Sequence, residues 1–170
     1  MATDPLGLFC TIDFVLHYYS WSGTTVDLGA VGLLDEFRQS SSVAKSVDIF
    51  KLMVRSTARS KAKSLCKNCD DGIKHTTFGV NGKDTTDVTH EPCLFSVGRS
   101  TFFEYAGCSL SVDCKTRTYS FSYGLNFSIR DSFQDPANIT EKTGLPFEPW
   151  GRPYMITAGW SESFSGTGRF

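Results

Sequence analysis

The chain has 170 residues, 40% apolar and 21% charged, which is the length and composition of one globular domain with its own core and not of a disordered segment. No apolar run reaches the roughly 20 residues a helix needs to cross a bilayer, so a stable membrane span is excluded, and Met1 to Phe9 have neither the basic flank nor the apolar stretch of a secretory signal. Net charge is −1 and the isoelectric point about 6.3, which argues against nucleic acid as the main partner because phosphate binding is driven by positive charge.

In chain order, Asp4-Pro5-Leu6-Gly7-Leu8 is the first distinctive segment. Asp-Pro followed by Gly reads as a turn. Residues 10 to 25 are aromatic and alternate over short range, which predicts a strand or extended arm ending at Trp21-Ser22-Gly23. Asp27 is placed to cap a helix in which Leu28, Val31, Leu34 and Phe37 recur at helical spacing. After a break at Ser40-Ser41-Ser42, the residues Val43, Val47, Phe50, Val54, Ala58, Ala62 and Leu65 predict a longer helix. Its opposite face carries Lys45, Lys51, Arg55, Arg59, Lys61, Lys63 and Lys67 against the single acid Asp48, so this segment holds +6 and the rest of the chain −7. If nucleic acid or lipid headgroups are contacted, the basic helix 45–67 is where they bind, and a solvated helix face is the plainer reading.

Residues 66–90 are polar, and Asn81-Gly82 predicts a hairpin turn. From Thr118 to Arg130 the period falls to two, with Tyr119, Phe121, Tyr123, Leu125, Phe127 and Ile129 on one face of a long strand. Tyr154, Ile156, Ala158, Trp160 and Phe164 make a second such run. With Leu94 to Val97 and Thr101 to Tyr105, these predict an α+β fold: N-terminal helices followed by a twisted antiparallel β-sheet in a single domain.

The six cysteines, at 10, 66, 69, 93, 108 and 114, suit one to three disulfides in an oxidising compartment. Cys66 and Cys69 also have zinc spacing, and Cys93, Cys108, Cys114, His75 or His90 are available as further ligands, although no second CxxC is present. Disulfides, zinc ligands and buried thiols all remain open at this point.

No Walker loop, GxSxG or HExxH occurs. The candidate site is the end of the long strand, Ile129-Arg130-Asp131-Ser132-Phe133-Gln134-Asp135-Pro136. Asp131 and Asp135 are the candidate catalytic carboxylates, for proton transfer, for holding a water or for binding a metal. Asp131 is in phase with Phe127 and Ile129, so it leans toward the apolar face, where desolvation raises a carboxyl pKa. Arg130 and Arg152 are candidates for gripping an anionic substrate group, with Trp150 and Tyr154 beside them as stacking surfaces. The competing reading of the same residues is a polar turn with packed aromatics. The cofactor is unknown at this point and no metal site is assigned.

Asp4 to Leu8 resembles the DPxGL signature that closes the repeat shell of bacterial Rhs proteins, a class of polymorphic toxins. The resemblance implies that residues 1–9 are the end of the shell and its cleavage segment, and that 10–170 are a toxin domain. Such a toxin is delivered into a competing bacterium, for example by type VI secretion, and has an Rhs shell and a cognate immunity protein as partners. The chemistry is open among three classes. One is a hydrolase or transferase of the cell envelope acting on a peptidoglycan precursor, as colicin M-like toxins do, although that family's acidic motif followed by His-Arg is not reproduced. The second is an intracellular nuclease or ADP-ribosyltransferase. Arg99-Ser100-Thr101, Glu104 and Ser161-Glu162-Ser163 are similar to the arginine, serine and glutamate of that transferase family, but Trp160 stands where its ExE or QxE pair requires an acid or amide. The third is a membrane-permeabilising toxin. Cysteine content, charge and the Asp131/Asp135 pair favour the envelope and hence the periplasm.

Overall fold

Where the apolar period changes from 3.6 to 2, the chain changes from helix to sheet. The computed structural model describes residues 11–20, 22–67, 72–91, 93–94, 97–133 and 151–170. Its elements are α1 (Thr11–Tyr19), β1 (Val26–Asp27), α2 (Leu34–Gln39), α3 (Ser41–Leu65), β2 (Ile73–Asp87), β3 (Arg99–Asp113), β4 (Thr118–Phe133) and β5 (Tyr154–Arg169). Asp4 to Leu8, Cys10, Cys69, Asp135 and Trp150 lie outside the described residues.

Helix α3 forms because 25 residues contain no Gly or Pro and repeat an apolar position every three or four residues. Val43, Val47, Phe50, Val54, Ala58 and Ala62 are all buried. The Ser40 carbonyl accepts the Ala44 N–H at 2.9 Å and starts α3, while its hydroxyl turns back to the Phe37 carbonyl at 2.8 Å and closes α2. At the far end Lys74 Nζ donates to the Leu65 carbonyl at 2.9 Å, satisfying one of the acceptors a helix C-terminus leaves open.

The sheet has five strands in the order β1-β5-β4-β3-β2. β3 and β4 are joined by residues 114–117 alone, too few for a parallel crossover, so they run antiparallel. At one end of β2–β3 the Val88 N–H meets the Gly98 carbonyl, and at the other the Cys114 N–H meets the Gly72 carbonyl. Along β4–β5, Phe133 stacks on Tyr154, Phe127 on Trp160 and Tyr123 on Phe164, so one strand descends as the other rises. β1 alone is parallel, with Val26 against Ile156 and Asp27 against Thr157. The sheet is therefore mixed.

The contacts divide the chain into two units, residues 1–45, 84–102 and 128–159 in the first and residues 46–83, 103–127 and 160–170 in the second. In the second unit, Phe50 meets Phe127 edge-on with ring centres 6.1 Å apart, and the Tyr123 hydroxyl donates to the Val54 carbonyl at 3.2 Å. In the first, Phe133 is surrounded by Phe14, Tyr18 and Tyr154. Four long strands and α3 contribute residues to both units, and the α+β class expected from the sequence is the one that forms.

Several local expectations are corrected. Residues 11–19 are helical and not an extended arm: Phe14 and Tyr18 are buried four residues apart, a helical spacing that the aromatic alternation disguised. Asp27 ends a short strand, where its carboxylate accepts the Ala30 N–H and caps a turn in place of a helix. The helix there begins only at Leu34. Asn81-Gly82 is mid-strand in β2. A methyl group at Gly82 would stand 3.0 Å from the Phe50 ring and run into the Glu104 carboxylate, so this glycine serves close packing and not a turn. Leu94 and Val97 sit in hydrogen-bonded turns between β2 and β3.

Cys66 and Cys114 form a disulfide across 48 residues, so Cys66 does not share a zinc ion with Cys69, and Cys93 is disulfide-bonded as well. Cys108 is a buried free thiol. Closing a loop of that length stabilises by about 4 kcal/mol through the unfolded chain. Replacing both Cys66 and Cys114 by Ser is expected to lower the unfolding free energy by about that amount in urea titration, and reductant is expected to destabilise the parent but not the double variant by this route. Phe50→Ala, which empties the contact with Phe127, is expected to cost about 3–5 kcal/mol in the same titration.

Candidate functional site

The strand-end candidates that are described all lie in the first unit. β4 buries every second residue from Tyr119 to Ile129, and Asp131 continues on that face as a half-buried carboxylate. Its burial raises the carboxyl above the ordinary value of 3.8, and a hydrogen bond from the Ser132 backbone N–H opposes the rise in part. The next residue on the same face is Phe133, stacked on Tyr154 with centres 5.1 Å apart. A titratable group thus stands at the edge of an aromatic layer.

Arg130 is exposed on the opposite face of β4, so alternation directs it away from the side on which Asp131 lies. Arg152 is also exposed, and its backbone N–H donates to the Tyr18 carbonyl at 3.0 Å, anchoring the approach to β5 on the end of α1. Its side chain passes over Gly23, where a methyl group would come within 2.6 Å of Cδ and Nε and where φ is +58°. Glycine is required there on both counts. Tyr154 is buried and its hydroxyl donates to the Phe14 carbonyl at 2.9 Å. Burial pushes that phenol well above its usual range, so Tyr154 is a neutral support of the layer and not an open stacking surface. Asp135 and Trp150, the other two candidates, fall outside the described residues.

One constellation was missed. His17 Nε2 lies 2.9 Å from the Thr24 carbonyl, 3.0 Å from Ser22 Oγ and 3.3 Å from Thr24 Oγ1, with the imidazole edge-on to Tyr154 at 4.6 Å. A serine hydroxyl in reach of an imidazole has the form of a nucleophile and its base. The carbonyl decides otherwise: it can only accept, so the nitrogen it faces carries the proton and is not a base toward Ser22. The group is a polar clasp joining α1 to residues 22–24. It was legible only once Phe14, His17 and Tyr18 are read at helical spacing.

The residues that resemble an ADP-ribosyltransferase are otherwise engaged. Arg99 pairs with Asp87 at 3.4 Å, and Ser100 is buried with its hydroxyl 3.2 Å from Thr86 Oγ1. Glu162 receives Lys51 Nζ at 2.7 Å and Trp160 Nε1 at 3.2 Å. Among the described residues no group of three His, Cys, Asp or Glu is placed to hold a metal ion.

A folded-state carboxyl with a raised pKa keeps its proton to higher pH than the unfolded chain does, so stability from this group falls as pH rises from 3.8 through the raised value. Asp131→Asn removes that dependence. The variant is expected to melt at or above the parent at neutral pH, with the difference closing below pH 3.8. A variant that melts far below the parent at neutral pH would mean that the carboxylate holds the fold together.

No protein-family model and no curated protein matches the chain. Among solved structures it is similar to pectocin M2, at 13% identity and a TM-score of 0.35 over 94% of this chain and 49% of that one. It is also similar to truncated syringacin M, a bacteriocin of Pseudomonas syringae pv. tomato DC3000, at 12% identity and a TM-score of 0.41 over 100% of this chain and 62% of that one. The chain spans about half the length of the first and less than two thirds of the second. TM-scores below 0.5 leave the functional reading to the residues themselves.

Proposed function

We propose that the chain is an antibacterial toxin that works in the envelope of a competing bacterium, as a hydrolase or transferase on a peptidoglycan precursor. The observation that carries the compartment is the cross-linking of Cys66 to Cys114, together with the disulfide at Cys93. Such bonds persist in a periplasm and are reduced in a bacterial cytosol. The toxin reading rests on the DPxGL-like segment Asp4 to Leu8, with delivery by an Rhs shell and a cognate immunity protein as its partners. In this reading Asp131 is the proton-transferring carboxylate, because burial holds it nearer neutrality than an exposed aspartate, and the exposed Arg152 grips an anionic group. Asp135 is its proposed companion. An intracellular ADP-ribosyltransferase has less support, since Glu162 is taken up by Lys51 and Trp160.

Expression in a sensitive bacterium without a partner, once directed to the periplasm and once retained in the cytoplasm, is expected to stop growth only in the first case. Arrest from the cytoplasm alone would overturn the envelope reading. Asp131→Asn is expected to fold and to lose killing by two orders of magnitude or more, roughly the worth of a general acid or base. A folded variant that kills at full strength removes this site.

A further inference from the structure

A helix lying on a sheet normally turns its apolar residues inward and covers its outer face with polar ones. Helix α3 does the first without the second. Its buried face in the second unit consists of Val47, Phe50, Val54, Ala58 and Ala62. With 3.6 residues per turn, Ile49, Leu52, Met53, Ser56, Arg59 and Lys63 fall on the opposite side. Leu52 is 62% exposed, Ile49 54% and Met53 39%, three large apolar side chains adjacent on one turn. Side chains that reach the surface singly need no explanation, whereas a contiguous group at the centre of an outward face does.

The charge along the helix is mostly of one sign. From Ser46 to Leu65 the helix carries Lys51, Arg55, Arg59, Lys61 and Lys63 against Asp48 alone. Two of these cations are turned to the flank and used within the unit, Lys51 on Glu162 at 2.7 Å and Arg55 over the Phe164 ring at 4.4 Å. Arg59 and Lys63, on the same side as the apolar group, are exposed one to three turns beyond it. Apolar side chains at the centre of an outward face with a run of cations beside them form the pattern of a helix that lies in a membrane interface. The alkyl groups enter the headgroup–acyl boundary, and the cations meet anionic headgroups. No helix among the described residues is long and apolar enough to cross a membrane.

We propose that the outer face of α3 docks this protein flat on an anionic phospholipid surface, through Ile49, Leu52 and Met53 as the inserted group and Arg59 and Lys63 as the headgroup contacts. This goes beyond the toxin reading and does not depend on Asp131, which is no part of the stripe.

The test is co-sedimentation of the purified full chain with phosphatidylcholine vesicles, with and without phosphatidylglycerol. Binding is expected only to the anionic vesicles and is expected to fall with added salt. Arg59→Gln and Lys63→Gln are each expected to weaken it about fivefold, the worth of one cation at such a surface. Leu52→Glu is expected to abolish it with the thermal melt unchanged, because the side chain is mostly exposed. Asp131→Asn is expected to bind as the parent does, so loss of killing and loss of docking are read separately. Absence of binding, or binding that Leu52→Glu leaves intact, overturns the proposal. So does a dimer in light scattering that Leu52→Glu dissociates while vesicles remain unbound, or duplex DNA binding that the cation variants alone weaken.

Discussion

Burial of one face of α3 is the packing on which the second unit is built. A helix in a folded protein is stabilised mainly by what its apolar stripe covers. Here the stripe holds Phe50 against Phe127 and brings the Val54 carbonyl to the Tyr123 hydroxyl. β4 is the strand that makes those contacts, and its alternation is unbroken from Tyr119 to Ile129. Because a register slip of one residue would exchange its two faces, the packing of Phe127 and Tyr123 also decides that Asp131 leans inward and Arg130 outward. The candidate carboxylate is therefore positioned by the core and not by its own loop.

The first unit supports the same strand end differently. Phe133 is enclosed by Phe14, Tyr18 and Tyr154, and the buried Tyr154 hydroxyl is paired with the Phe14 carbonyl. Burial raises the Asp131 carboxyl above its ordinary value, so its neutral form persists to higher pH.

How much of this was legible follows from which signals act locally. β4, β5 and α3 each repeat one period over a dozen residues or more, and their faces could be assigned before any contact was known. The burial of Asp131 followed from the same count. Short elements were misread because their determinants are elsewhere in the chain. α1 is nine residues in which aromatic density imitates a strand, and its helical identity rests on what Phe14 and Tyr18 pack against. β1 exists through its pairing with Ile156 and Thr157, which no local pattern announces. Gly82 carried a turn signal, but the reason for a glycine there is the ring of Phe50, more than thirty residues earlier in the chain. The Cys66–Cys114 pairing was one of many open combinations until the end of α3 was brought beside the β3–β4 turn.

That pairing also gives the domain two stabilities. In a reducing solution the loop between the end of α3 and the β3–β4 turn is held by packing alone, while under oxidation the same contacts are locked by a covalent bond. The native state is the same in outline, but the chain visits open, protease-accessible forms more often before oxidation than after it. Its resistance to degradation thus depends on the redox state of its surroundings as well as on its packing.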